Sequence, residues 1–140
     1  MPMRVWVAVL LAATAAEVAM TSEMWVRRDG SLWARIESDG TIRVDGSIAG
    51  EVETDGTVRK DGSIVGAVEA DGTIRESGSI VGKVEPDGTL RRGGSIIGAI
   101  EAGGIIRRDG SIWGLSEPAC EDFAARRRLA AVLFFFSGDF

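Results

Sequence analysis

The chain has 140 residues, a formal net charge of −5, no histidine, no tyrosine and one cysteine, Cys120. That length bounds one domain with flanking segments. The composition excludes histidine-based acid–base catalysis, Cys/His zinc sites and an intramolecular disulfide. The acidic balance, with no aromatic platform beside basic residues, argues against nucleic acid as a partner.

Residues 1–16 predict a signal peptide. Arg4 precedes the apolar run Val5-Trp6-Val7-Ala8-Val9-Leu10-Leu11-Ala12-Ala13, and Thr14-Ala15-Ala16 supplies the small residues of a cleavage site. The run is too short for a transmembrane helix, which needs about 20 apolar residues. The expected location is therefore periplasmic or secreted, or cytoplasmic if translation starts at Met20 or Met24. Residues 17–23 read as a linker.

Residues 24–117 form a β-repeat domain. Glycine returns at alternating intervals of ten and six, from Gly30, Gly40 and Gly46 to Gly94, Gly104 and Gly110, which defines a 16-residue unit. Whole copies of G-S-I-V-G-x-V-E-x-D-G-T-I-R-x-D begin at Gly30, Gly46, Gly62, Gly78 and Gly94. A sixth is split between Trp25–Asp29 and Gly110–Gly114. Asp-Gly between alternating apolar residues is a strong hairpin signal, because glycine takes positive φ without steric cost.

Register suggests three-residue loops at both Ser38-Asp39-Gly40 and Val44-Asp45-Gly46. Ile36 then faces Ile42, and Ile42 faces Ile48. The expected inner face combines three columns: Leu32/Ile48/Ile64/Ile80/Ile96/Ile112, Ile36/Val52/Val68/Val84/Ile100 and Val26/Ile42/Val58/Ile74/Leu90/Ile106. Gly50, Gly66, Gly82, Gly98 and Gly114 point the same way, as glycines do where backbones crowd. An open solenoid would place Trp33 and Trp113 at opposite ends as caps; closure is preferred, because pairing of the split repeat's two halves hides the sheet edges. Trp33 and Trp113 are then near neighbours.

The outer face carries Arg43, Arg59, Arg75, Arg91 and Arg107 in one ladder and Glu53, Glu69 and Glu85 in another. They are the candidate interaction face; the plainer reading is a solvated surface laced with ion pairs. The carboxylates recur in every unit, whereas a catalytic pair is normally unique, so no enzyme, cofactor or metal site is expected. The Asp-Gly aspartates lack calcium-repeat spacing and read as turn formers.

Residues 118–140 read as a helix opening at Pro118, followed by the apolar end Leu129-Ala130-Ala131-Val132-Leu133-Phe134-Phe135-Phe136. The three phenylalanines are expected to cap the chain's own fold. Self-association through Phe134, Phe135 and Phe136, or shallow membrane insertion, are the alternatives.

The phrase Asp71-Gly72-Thr73-Ile74-Arg75 … Gly78-Ser79-Ile80-Val81-Gly82, with the Phe-rich tail, resembles the bacterial five-fold beta-flower proteins across roughly residues 24–136. The resemblance implies a radial array of hairpins and export, and brings no catalytic residue. The fold expected is all-β: tandem 16-residue hairpins in a closed or nearly closed radial array, with a C-terminal helical, apolar tail. The function expected is a non-enzymatic, exported structural or interaction protein of the envelope. The alternatives are a glycan- or lipid-headgroup-binding module using the Arg/Glu face, or a membrane-associated protein held by its apolar ends. Envelope glycan, lipid or protein are the corresponding partners.

Overall fold

A computed structural model describes residues 23–119 and 122–140. The signal-peptide reading of residues 1–16, the linker up to Ser22 and Cys120 lie outside the described residues.

Each unit contributes two strands. In chain order they are β1 (Met24–Arg28), β2 (Ser31–Ile36), β3 (Thr41–Val44), β4 (Ser47–Val52), β5 (Thr57–Lys60), β6 (Ser63–Val68), β7 (Thr73–Glu76), β8 (Ser79–Val84), β9 (Thr89–Arg92), β10 (Ser95–Ile100), β11 (Ile105–Arg108) and β12 (Ser111–Glu117). Every strand pairs antiparallel with its chain neighbours. β1 also pairs with β12, Trp25 opposite Glu117 and Arg28 opposite Gly114, so the sheet closes into a barrel. Closure leaves no free sheet edge. It also brings Trp33 and Trp113 together, their rings 5.4 Å apart and edge to face.

Two kinds of turn alternate around the barrel. At one end lie loops such as Ser38-Asp39-Gly40. Gly40 N–H donates to Glu37 C=O at 2.9 Å, and Ile36 pairs with Ile42. This is the expected three-residue loop. At the other end the loops have two residues. Asp45 and Gly46 both take positive φ, +53° and +84°, and Val44 pairs with Ser47. These are type I′ hairpins, whose twist matches that of the strands.

The second loop corrects the expected core. With two residues instead of three, Ile48 stands opposite Arg43 on the outer face. A bulge then resets the alternation, because Ile42 pairs with Gly50 and leaves Ala49 unmatched. The same slip recurs in β2, β6, β8, β10 and β12. An extra residue in a strand carries the side chains before it to the other face. Ile48, Ile64, Ile80, Ile96 and Ile112 are 61–65% exposed and Leu32 46%. The residues that follow them (Trp33, Val65, Val81, Ile97 and Trp113) pack on the core instead. The other two predicted columns are buried as expected.

The interior is filled by the chain's own C-terminal helix, α1 (Phe123–Phe136). It starts five residues after Pro118. Asp122 is the N-cap, its Oδ1 accepting the Ala125 N–H at 2.7 Å. Leu129, Ala130, Ala131, Val132 and Leu133 are wholly buried. Burial of five successive residues covers the helix's whole circumference, as expected of an enclosed helix.

The helix runs from one barrel end to the other. Near its start Arg126 donates to the Pro86 carbonyl at 2.6 Å and Arg128 to that of Glu37 at 3.2 Å, both in three-residue turns. Near its finish Lys60, beside a two-residue turn, donates to the Phe135 carbonyl at 3.1 Å. Fourteen residues span about 21 Å.

Candidate functional site

Three surfaces carry the side chains with chemical or binding potential: the barrel interior, the Arg/Glu face and the band beside the two-residue turns.

In the interior, mid-strand glycines make room for aromatic rings. A Cβ on Gly66 would lie 2.6 Å from the Phe135 ring and 2.1 Å from the Arg75 carbonyl oxygen. Gly50 meets Phe136, Gly82 meets Phe134 and Gly98 meets Phe140 in the same manner. Successive helix residues point about 100° apart, so consecutive phenylalanines address different repeats. The alternative of self-association through Phe134, Phe135 and Phe136 thus meets rings already packed inside this chain: Phe135 is 8% exposed and the other two are half-buried.

The helix C-terminus is ringed by cations from the wall. Lys60, Arg92 and Arg108 lie 5.3–5.7 Å from the ring centres of Phe136, Phe134 and Phe140. Arg108 also donates to the Asp139 carbonyl. The cations complement the negative end of the helix dipole. The seam between first and last units is tied similarly. Arg28 pairs with Asp139 at 2.9 Å and lies 4.4 Å from the Trp113 ring centre, while Trp113 Nε1–H donates to Asp139 Oδ2 at 3.0 Å.

On the outer face the candidate residues pair with one another across the three-residue turns. Arg59 Nε meets Glu53, and Arg91 Nε meets Glu85, each at 2.6 Å; Arg75 meets Glu69 and Arg107 meets Glu101 in the same geometry. Arg43 and Arg35 share Glu37 and hold its carboxyl below the usual glutamate range, Arg43 having the larger effect. Each ladder arginine also donates Nη1–H to the carbonyl of the next two-residue turn, as Arg59 does to Gly62 at 3.3 Å. The face therefore satisfies its own charges.

The turn aspartates act on their own backbone. Asp39, Asp55, Asp71 and Asp87 each accept the N–H of the threonine two residues on, at 2.9–3.0 Å. Those backbone bonds, then the threonine hydroxyls, hold the four carboxyls below the ordinary aspartate range. Among the described residues, no cluster of three or more acidic, cysteine or histidine side chains could hold a metal ion.

The third surface was missed by the sequence reading. Open grooves lie between successive two-residue hairpins. One, of about 280 Å³, has Ile48 and Gly50 on one hairpin facing Arg59 and Asp61-Gly62 on the next. Another, of about 340 Å³, has Ile112 and Gly114 facing Arg27 and Asp29-Gly30. The aliphatic column rises beside these grooves. A partial signal was present in the sequence: in most units two adjacent apolar residues precede the mid-strand glycine, and adjacent strand residues face opposite sides, so one of them must face outward.

The fold is a closed repeat barrel packed with its own C-terminal helix. The family described as "Bactofilin: Polymer-forming cytoskeletal" matches residues 24–114, and the chain belongs to it. No curated protein and no solved structure matches the chain.

The family corrects two expectations. The chain is not a five-fold beta-flower protein: the family match is to a different family, the D-G-T-I-R phrase is of a kind that glycine-turned hairpins share, and the barrel has six two-stranded units. A periplasmic or secreted location is overturned as well, since a cytoskeletal family builds polymers within the cell. One arginine before a short apolar run is too weak a signal to establish export. Among the described residues no helix is long and apolar enough to cross a membrane.

Proposed function

We propose that this chain is a non-enzymatic building block of a cytoskeletal polymer, with the barrel as a solid, rigid subunit. The observation that carries the reading is the filled interior. Wide barrels ordinarily offer a lumen to a ligand or to water. Here Phe134, Phe135, Phe136 and Phe140 occupy the glycine-lined positions where a ligand would sit.

The Arg/Glu ladders fit the same role. Each pair spans one hairpin, and each arginine reaches the next turn, so the charges brace the wall from outside. A rigid wall transmits force and presents a fixed surface to neighbours. The reading is tested by sedimentation and negative-stain electron microscopy of the full chain across a concentration series. Filaments or sheets above a threshold concentration are expected. A protein that stays monomeric at all concentrations would overturn the reading.

A further inference from the structure

We propose that the ring formed by Leu32, Ile48, Ile64, Ile80, Ile96 and Ile112, with the grooves beside it, is the contact surface for a second copy of this chain. The inference rests on the polymer-building role above and assigns it a surface.

Six repeats place an aliphatic side chain at the same outward position, opposite an arginine on the neighbouring strand. An exposed strand site of this kind tolerates polar residues, and strand preference alone does not single out isoleucine, because threonine shares it. Side chains more than 60% exposed in five units gain little from their own barrel. Single exposed aliphatics are ordinary; a repeated band of them marks an interaction surface.

The occupant follows from shape and charge. Grooves of about 280–340 Å³ lie beside Leu32, Ile48 and Ile112, so one copy's ridge has a receptor on another. The arginines flanking the ridge are neutralised by Glu53, Glu69, Glu85 and Glu101 of the same chain. Two copies can therefore approach at this band without facing an unpaired arginine ladder, and the turn aspartates Asp29 and Asp61 are charges that edge the grooves. A partner of strong opposite charge would find no unpaired ladder to bind. The phenylalanine run packs in the interior, which leaves the aliphatic ring as the exposed large hydrophobic side chains among the described residues. Repetition makes the contact multivalent: weak individual ridges add up when several engage together.

The test compares wild type with the triple variant Ile64→Thr, Ile80→Thr, Ile96→Thr, and with Ser63→Ala, Ser79→Ala, Ser95→Ala as control. Threonine keeps β-branched strand preference while removing the apolar ridge. The expected result is an unchanged melting temperature in both variants, with the threshold for assembly raised roughly tenfold or more in the isoleucine variant alone. Assembly at the wild-type threshold by a folded isoleucine variant would overturn the surface and leave the polymer role standing. A wild type that fails to assemble, but binds phosphatidylcholine vesicles through these isoleucines, would overturn both.

Discussion

The two ends of the barrel use the same Asp-Gly chemistry and put it to different uses. At the three-residue end, turn glycines lie against the next hairpin. A Cβ on Gly72 would fall 2.0 Å from the Val84 carbonyl oxygen and 3.0 Å from the Phe123 ring. Their carbonyls accept the next hairpin's N–H, as Gly72 does from Val84 at 2.9 Å. At the two-residue end, Gly78 has equally positive φ but no atom within 4 Å of a Cβ. One end knits the ring shut, and the other projects free turns beside an exposed aliphatic band. A single 16-residue unit thus holds a subunit together at one end and leaves a surface for neighbours at the other.

That contrast can be broken from the inside outward. Phe135→Ala should have the largest effect, about 3–5 kcal/mol, because it empties the slot over Gly66. Chemical denaturation should show a lower midpoint, and near-UV circular dichroism a loosened aromatic core. Gly82→Val should cost about 3 kcal/mol, since its side chain meets both Phe134 and the Arg91 carbonyl, whereas Ser79→Ala on the exposed flank should leave the midpoint unchanged. Equal midpoints for those two variants would refute the packing.

The turns sharpen the comparison further. Gly72→Ala and Gly78→Ala carry similar backbone strain, of about 1 kcal/mol, but only the first adds a clash. Thermal melts should show Gly72→Ala clearly lower. The smallest effect is acidic. The carboxyls of Asp39, Asp55, Asp71 and Asp87 are held down by threonine N–H bonds in the folded state. Their stabilisation is complete above the ordinary aspartate range and fades as pH falls through the lower folded-state values. Replacing all four with asparagine should flatten the loss of thermal stability on acidification, at little cost near neutrality. An unchanged acid profile would remove these turns from the account.

Much of the architecture was legible because repeats constrain each other. The split sixth unit favoured closure over an open solenoid, and Trp25–Arg28 does pair with the last strand. The three-residue loop followed from the match of Ile36 with Ile42. The two-residue loop escaped because period-two reading put Ile48 and Gly50 on one face. A bulge at Ala49 breaks that period, and bulges have no strict sequence code. The tail was legible as an internal cap. Its fit to glycine slots contributed by separate repeats is a long-range match that local pattern cannot convey. The export reading failed for a different reason: a short apolar run is compatible with many fates.

The most direct measurement is hydroxyl-radical footprinting by mass spectrometry on dilute and assembled protein. The account predicts that Phe135 and Leu133 resist labelling in both states. Ile64, Ile80 and Ile96 should label readily in the dilute protein and become protected on assembly. Isoleucines that label equally in the polymer, or phenylalanines that become protected only on assembly, would contradict the division between a filled interior and an outward contact band.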